Sequence, residues 1–342
     1  MKILLISTTV YKLTKEGLTG YGGLEHLVAV WAIEMQKLGH QVSVVCPEGS
    51  DLGEGIEIIP VGYREPDEAA YLKYKDRLKE FDAVMDNSWG WYSVLSQMEA
   101  DRQLPIIHCY HSDPYNLGSA PPIEKPCLTA FSEAQADIIR RRWNVACQVV
   151  LHGVDLDFYK PDPNIERGSR YLFLARYTPE KGFLEITYLA KKCKAGLDAF
   201  GDMEIVASQD YVAKCFNEND GRQIRVNPGI SREESVKQYR SHKALITWPN
   251  YVEIFGLTTV EAMACGCPVI SKDSGAAKEL IKQGKTGFVV GTLEEAEELI
   301  KNDAISNIKQ EDCVRQAKKF SIEKSARGHL HLLQDVASGT YW

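Results

Sequence analysis

The sequence predicts an α/β protein made of two doubly wound domains, each a parallel sheet with helices on both faces. Three observations carry that prediction. Short apolar runs without polar alternation are separated by amphipathic stretches, as strands buried on both faces require. This series occurs twice, on either side of a polar, proline-containing stretch, FYKPDPNIERGSR, at residues 158–170. The chain has 342 residues, enough for two cores at roughly 100–200 residues per domain.

Taken in order, residues 2–6 read as the first strand. Residues 24–38 read as a helix, with Leu27, Val28, Trp31, Met35 and Leu38 at helical spacing and Gly39 as its stop. Strands are expected at 41–46, 56–61, 82–85, 105–109, 127–131 and 148–151, and Ser132 before Glu133 starts a helix as an N-cap. The second series places strands at 171–175, 203–207, 223–226, 244–248, 268–271 and 287–290. Helices are expected between them at 183–192, 232–241, 257–265, 277–281 and 293–301, with a helical tail at 321–336. The domains are therefore set at 1–157 together with 321–342, and at 158–320.

Composition narrows the function classes. Apolar residues make up 44% and charged residues 25%, which excludes a largely disordered chain. A formal net charge of −7 disfavours nucleic acid as a partner without excluding a local basic patch. No uncharged apolar stretch approaches the ~20 residues of a membrane span. The apolar run at residues 3–6 is too short for a signal-peptide core, so a cytoplasmic location is expected. Nine cysteines, an odd number without a CxxC pair, argue against a disulfide scaffold or a zinc knuckle. They read as small buried hydrophobes in a reducing compartment.

In open α/β sheets, ligands bind beyond the carboxyl ends of the strands. Three segments at such ends carry candidate chemistry. Tyr21-Gly22-Gly23-Leu24-Glu25 precedes the first helix, and its glycines let backbone amides approach an anion. An ordinary turn is the alternative. Arg176 and Lys181, in ARYTPEKG, put two cations after a strand and beside a helix start, which suits a diphosphate better than two solvated surface charges. The richest segment runs from Glu253 to Pro268, EIFGLTTVEAMACGCP. Gly256 allows close approach of the backbone, and the amides of Gly256, Leu257, Thr258 and Thr259 point at the ligand from a helix N-terminus. Glu253 and Glu261 are suitable acceptors for vicinal sugar hydroxyls, against the alternative of a capping carboxylate and a solvated helix glutamate.

The E-x7-E pattern within EIFGL and EAMACGCPVI resembles the retaining GT-B glycosyltransferases of family 4. Other pieces follow that family in order: YGGLEHLV, LGHQV, the His111 strand end in HCYHSDP, Phe131-Ser132-Glu133, His152-Gly153-Val154-Asp155 and ARYTPEKG. Three positions depart from it: His152 stands where the family has Asn, Ala175 where it has Gly, and Gly275-Ala276-Ala277-Lys278-Glu279 where it has GGxxE. The alanine in place of the second glycine is expected to narrow that last turn.

The resemblance implies a GT-B fold, two Rossmann-like domains facing across a cleft, with the C-terminal helix crossing back to the first. It implies a retaining, metal-independent transfer of a sugar from a nucleotide sugar, UDP favoured and GDP next, to a hydroxyl acceptor such as a glycan, a lipid-linked sugar or a small molecule. Arg176 and Lys181 would hold the diphosphate. Glu253 with Phe255, Gly256, Leu257 and Thr258 would hold the donor sugar, and Glu261 the ribose. Gly22 and Gly23 would approach the diphosphate and acceptor, and His111 the sugar ring; His111, Glu253, Arg176 and Lys181 form the catalytic set. Asp155-Leu156-Asp157 has the form of a metal-binding DxD but reads as a turn and helix start. Arg140, Arg141, Arg142 and Trp143 could touch anionic headgroups at the inner face of a membrane, or form a solvated helix face. Trp89, Trp91 and Tyr92 could stack on a ligand or pack in the core. Alternatives on the same scaffold are a sugar-nucleotide epimerase, a non-catalytic nucleotide-sugar-binding subunit, and a nucleobase or DNA glycosyltransferase.

Overall fold

The computed structural model describes residues 1–15, 23–90, 92–99, 103–112, 123–203 and 208–342. They form two compact units, Met1–Gly153 with Ile322–Trp342, and Val154–Ser321.

The first unit runs β1 (Lys2–Ile6), α1 (Gly23–Lys37), β2 (Gln41–Pro47), β3 (Ile56–Val61), α2 (Asp67–Tyr74), β4 (Ala83–Asp86), α3 (Tyr92–Glu99), β5 (Ile106–Cys109), β6 (Leu128–Ala130), α4 (Glu133–Trp143) and β7 (Cys147–Val149). The seven strands lie in the order β3-β2-β1-β4-β5-β6-β7, and each neighbouring pair is parallel. In β1 every residue after Lys2 is buried, which is why it reads as an unbroken apolar run. The helix at Ile322–Ala337 belongs to this unit and packs on α1, β4 and β5. One tie is polar: the buried Trp31 Nε1 donates to Ser325 Oγ at 3.0 Å. A second lies at the chain end, where Trp342 Nε1 donates to the Leu128 carbonyl at 2.9 Å.

The second unit runs β8 (Tyr171–Leu174), α5 (Phe183–Lys192), β9 (Leu197–Gly201), α6 (Gln209–Asn217), β10 (Ile224–Pro228), α7 (Arg232–Ser241), β11 (Leu245–Thr247), α8 (Leu257–Ala264), β12 (Val269–Lys272), α9 (Ala277–Leu280), β13 (Gly287–Val290), α10 (Leu293–Lys301) and α11 (Gln310–Ala317). The helix at Ile322–Ala337, α12, follows. The parallel sheet has the order β10-β9-β8-β11-β12-β13. The unit closes on itself where the chain enters and leaves: Val154 bridges Ser321, and its N–H donates to the Phe320 carbonyl at 2.9 Å. The polar stretch after it is fastened rather than loose. Arg167 Nη1 donates to the carbonyls of Tyr239 and His242, at 2.9 and 2.8 Å.

One strand was not anticipated. It is β9, which lies beside β8; of the run expected as a strand at 203–207, residues 204–207 lie outside the described ones. Asp198, the second residue of β9, disguises it. Its carboxylate is satisfied by Arg170, with Nη2 at 2.6 Å, and by His242, with Nε2 at 3.0 Å, so the strand can be buried despite it.

Eight of the nine cysteines are buried and all are free thiols, with Cys193 partly exposed. Among the described residues no helix is long and apolar enough to cross a membrane.

Candidate active site

In the second sheet the strand order reverses between β8 and β11, and the loops that follow those two strands meet there. The loop after β8 contains a single 3-10 turn, Pro179–Lys181, and ends at Gly182 with a φ of 69°. A Cβ on Gly182 would lie 2.0 Å from the Trp248 carbonyl oxygen, so only glycine lets the two loops touch. Asn250 laces them further. Its N–H donates to the Glu180 carbonyl at 2.7 Å, its Nδ2 to Glu185 at 2.8 Å, and its Oδ1 accepts from Lys272 Nζ at 2.8 Å.

This lacing brings Lys181 and Glu253 together, with Nζ 3.2 Å from Oε2. Tyr251 sits with them. Its hydroxyl accepts from Lys181 Nζ and donates to the same Glu253 oxygen, while Lys181 Nζ lies 4.6 Å from the centre of its ring. Arg176, on the same loop as Lys181, is half-buried and has Nη2 3.9 Å from Glu180 Oε1, too far for a hydrogen bond.

Beyond Glu253 the chain turns at Gly256, φ 93°, into α8, whose start no side chain caps. The Thr259 N–H donates to the Gly256 carbonyl at 3.1 Å. The amides of Leu257 and Thr258, at the first helical positions, have no intrahelical carbonyl to bond and are the ones suited to an anion. The Phe255 side chain is buried and meets Phe320 edge-on at 5.9 Å, so Phe255 can offer a ligand only its backbone. Gly275, from the turn after β12, presses on Glu253: the Ala276 N–H donates to the Glu253 carbonyl at 3.0 Å.

Glu261, one turn into α8, stands in a different environment. Tyr239 donates to its Oε2 at 2.8 Å, and Tyr159 also hydrogen-bonds it. Arg232 braces Tyr159, with Nε 3.3 Å from the hydroxyl. Desolvation raises the Glu261 pKa, and the phenols and Arg232 oppose the rise.

In the first unit, His111 follows β5. Its Nε2 lies 3.0 Å from Asn87 Oδ1. Asn87 Nδ2 faces the Met85 carbonyl at 3.4 Å, so Oδ1 is the accepting atom and the His111 proton is assigned to Nε2. His111 stacks on Phe131, centroids 4.4 Å apart, and on His152 at 5.7 Å; Phe131 and His152 are 3.7 Å apart. Trp31 and His329 complete the cluster, 4.5 Å from each other. Burial, reinforced by the neighbouring histidines, holds His111 and His152 well below the usual histidine range, and burial alone takes His329 to about 3. All three are neutral at pH 7.

Gly23 opens α1; Gly22 lies outside the described residues. Glu25, in the first turn of α1, is buried and accepts from the Thr8 hydroxyl. The Asp155 carboxylate accepts from the N–H groups of Asp157 and Phe158, at 2.9 and 3.0 Å, and so shapes a turn. On α4, Arg140 bonds the Cys147 carbonyl at 2.7 Å and Trp143 meets Tyr110 edge-on, while Arg141 and Arg142 are exposed. Trp89 is exposed, Tyr92 stacks on Tyr71 at 5.8 Å, and Trp91 lies outside the described residues.

Comparison with known proteins decides the family. The family described as glycosyl transferases group 1 matches residues 157–320, and Glycosyltransferase Family 4 matches residues 21–158. The chain belongs to glycosyltransferase family 4. A D-inositol 3-phosphate glycosyltransferase of Catenulispora acidiphila is 26% identical, over 84% of this chain and 83% of its own. The fold matches AviGT4, a glycosyltransferase involved in avilamycin A biosynthesis, with a TM-score of 0.78 and 19% identity, over 100% of this chain and 99% of that one. It also matches Anabaena HepE in complex with UDP-glucose, with a TM-score of 0.70 and 17% identity over 99% of both chains. The protein is therefore a glycosyltransferase with two Rossmann-like domains.

Sequence reasoning about this family 4 enzyme missed Tyr251, Tyr239 and Asn87. Tyr251 left one signal, an aromatic two residues before Glu253 in PNYVE. Tyr239 and Asn87 left none, because each meets its partner only through tertiary folding, 22 and 24 residues away.

Proposed function

We propose that this glycosyltransferase moves a sugar, with retention at the anomeric carbon, from a nucleoside-diphosphate sugar to a hydroxyl acceptor without a metal ion. The observation that carries the reading is the meeting of Lys181 and Glu253 at the switch point of the second sheet, beside the uncapped start of α8. A diphosphate needs cations and helix-end amides; a sugar needs a carboxylate that accepts from its hydroxyls. Both are supplied within one loop cluster.

The chemistry follows from charge. As the bond between the anomeric carbon and the β-phosphate oxygen breaks, the sugar gains oxocarbenium character and negative charge builds on the departing diphosphate. Lys181, Arg176 and the amides of Leu257 and Thr258 stabilise that charge more than the ground state, which is what lowers the barrier. Removing one such donor costs about 10²–10³ in rate. Glu253 orients the sugar through its hydroxyls, and Glu261 takes the ribose. The second unit is the donor domain and the first the acceptor domain.

A UDP-sugar is the favoured donor and a GDP-sugar the next. Anabaena HepE, of similar fold, is in complex with UDP-glucose, and the relative from C. acidiphila is named a D-inositol 3-phosphate glycosyltransferase. The test is incubation with a panel of UDP-, GDP-, ADP- and TDP-sugars, reading released nucleoside diphosphate and nucleotide binding. Glu253→Ala should abolish turnover and keep nucleoside diphosphate affinity within about threefold. Neither binding nor release with any donor of the panel defeats the proposal.

A further inference from the structure

The Lys181–Tyr251–Glu253 contact contains more than an ion pair. We propose that Tyr251 is a positioning residue of the donor site, one that keeps the Glu253 carboxylate in place when Lys181 turns to the diphosphate. This rests on the donor site described above and adds a residue to it.

The argument is a count of donors and acceptors. A lysine ammonium has three N–H donors and no acceptor. Two of those in Lys181 are engaged, by the Tyr251 hydroxyl and by Glu253 Oε2, which leaves one. A phenol donates once and can accept; Tyr251 does both, from Lys181 and to Glu253. Both donors converge on Oε2, and among the described residues Glu253 Oε1 accepts from none. The cluster thus holds in reserve one ammonium proton and one carboxylate oxygen, the two functions that a phosphate and a sugar hydroxyl require.

The phenol matters when the ammonium moves. If Lys181 swings towards the departing diphosphate its bond to Glu253 Oε2 is lost, and without a second donor a half-buried carboxylate would be left short of one. With Tyr251 present, Oε2 keeps one hydrogen bond throughout. Tyr251 is itself anchored: its carbonyl accepts from the Ser274 hydroxyl in the turn after β12, and its ring lies under the ammonium. The loops after β8, β11 and β12 therefore all converge on this one residue.

The experiment is Tyr251→Phe, which keeps the ring and removes the hydroxyl, assayed with the sugar nucleotide that the wild type turns over fastest. Loss of a hydrogen bond to a charged group corresponds to about 10- to 100-fold in kcat. Nucleoside diphosphate Kd should stay within about threefold and Tm within about 2 °C, a split that a purely structural tyrosine would not produce. A kcat within threefold of wild type overturns the assignment. So does a loss of turnover matched by an equal loss of nucleotide affinity or of folded protein. A wild type that turns over no sugar nucleotide overturns the function proposal and this inference together, whereas an active wild type with an unaffected variant overturns this inference alone.

Discussion

A Cβ on Gly275 would stand 2.0 Å from the carbonyl oxygen of Glu253 and 2.8 Å from its nitrogen. The turn after β12 is thus the floor on which the Glu253 loop rests, and Gly275 also has a φ of 52°. The resemblance drew attention to the missing second glycine of this motif, yet the retained first one makes the contact. Ala276, in place of the second, is fully buried and donates its N–H to Glu253.

Gly275→Ala should therefore cost both stability and turnover. Strain at a left-handed position alone is about 1–3 kcal/mol, and the clash with Glu253 adds to it. Gly221 is a fair control, since it has a φ of 69° and a Cβ there would meet nothing within 4 Å. Urea denaturation should place Gly275→Ala at least about 1 kcal/mol below Gly221→Ala, and only the former should lose activity. Equal effects would mean that backbone φ, and not the approach to Glu253, is what the glycine serves.

Tyr239→Phe tests how Glu261 is held. The phenol is fully buried and gives its proton to Oε2; without it a desolvated carboxylate loses one of its two phenol donors. The Glu261 pKa, already raised by burial, should rise further, so ionised Glu261 becomes scarcer as pH falls. Nucleoside diphosphate affinity should drop about 5- to 20-fold at pH 7 and more at pH 6, measured by calorimetry. An affinity that is unchanged at both pH values would detach Glu261 from the ribose.

His329 is fully buried, and neither ring nitrogen has a hydrogen-bond partner among the described residues. Its folded pKa of about 3 lies below the ordinary 6.5, so the unfolded chain binds the proton more readily. Stability is then fully present above pH 6.5 and is lost as pH falls from 6.5 towards 3. At pH 4.5 this one group costs about 2–3 kcal/mol. His329→Leu removes a buried polar ring for a similar volume, so it should be neutral or stabilising at pH 7 and should flatten the acid limb of the Tm profile. A profile as steep as that of the wild type would shift the acid sensitivity to His111 and His152.

How much was legible depended on whether a residue's partner was near it in sequence. Most strands were readable because parallel strands buried on both faces leave apolar runs, and α5, α7 and α10 begin and end where their periodicity does. The Glu253 loop was readable because glycine, carboxylate and helix start fall within a few residues. The Lys181–Tyr251 contact spans 70 residues, and nothing near either residue announces it. The His111 cluster was half visible. His152 stood out as a departure, but His329, 177 residues further on, joins it only because α12 returns to the first unit. Helices α2, α3, α6 and α11 were not anticipated.

Asp198 shows the same limit from the side of stability. A carboxylate at the second position of β9 looks like a loop residue until Arg170 and His242 are folded against it, at the amino edge of the sheet and away from the loops that carry Lys181 and Glu253. These partners depress its pKa from 3.8 to about 2 against the opposing effect of burial. A depressed carboxylate stabilises the fold above the unfolded value and ceases to do so as pH falls through the folded one, so this contribution disappears between about pH 4 and pH 2. Asp198→Ala leaves Arg170 and His242 short of their partner and should lower stability by about 2–4 kcal/mol at pH 7. The gap between variant and wild type should then close as pH falls towards 2, while kcat of the folded enzyme at pH 7 stays unchanged. A gap that keeps its full pH 7 size at about pH 2.5 would mean that packing around β9, and not charge, accounts for the loss.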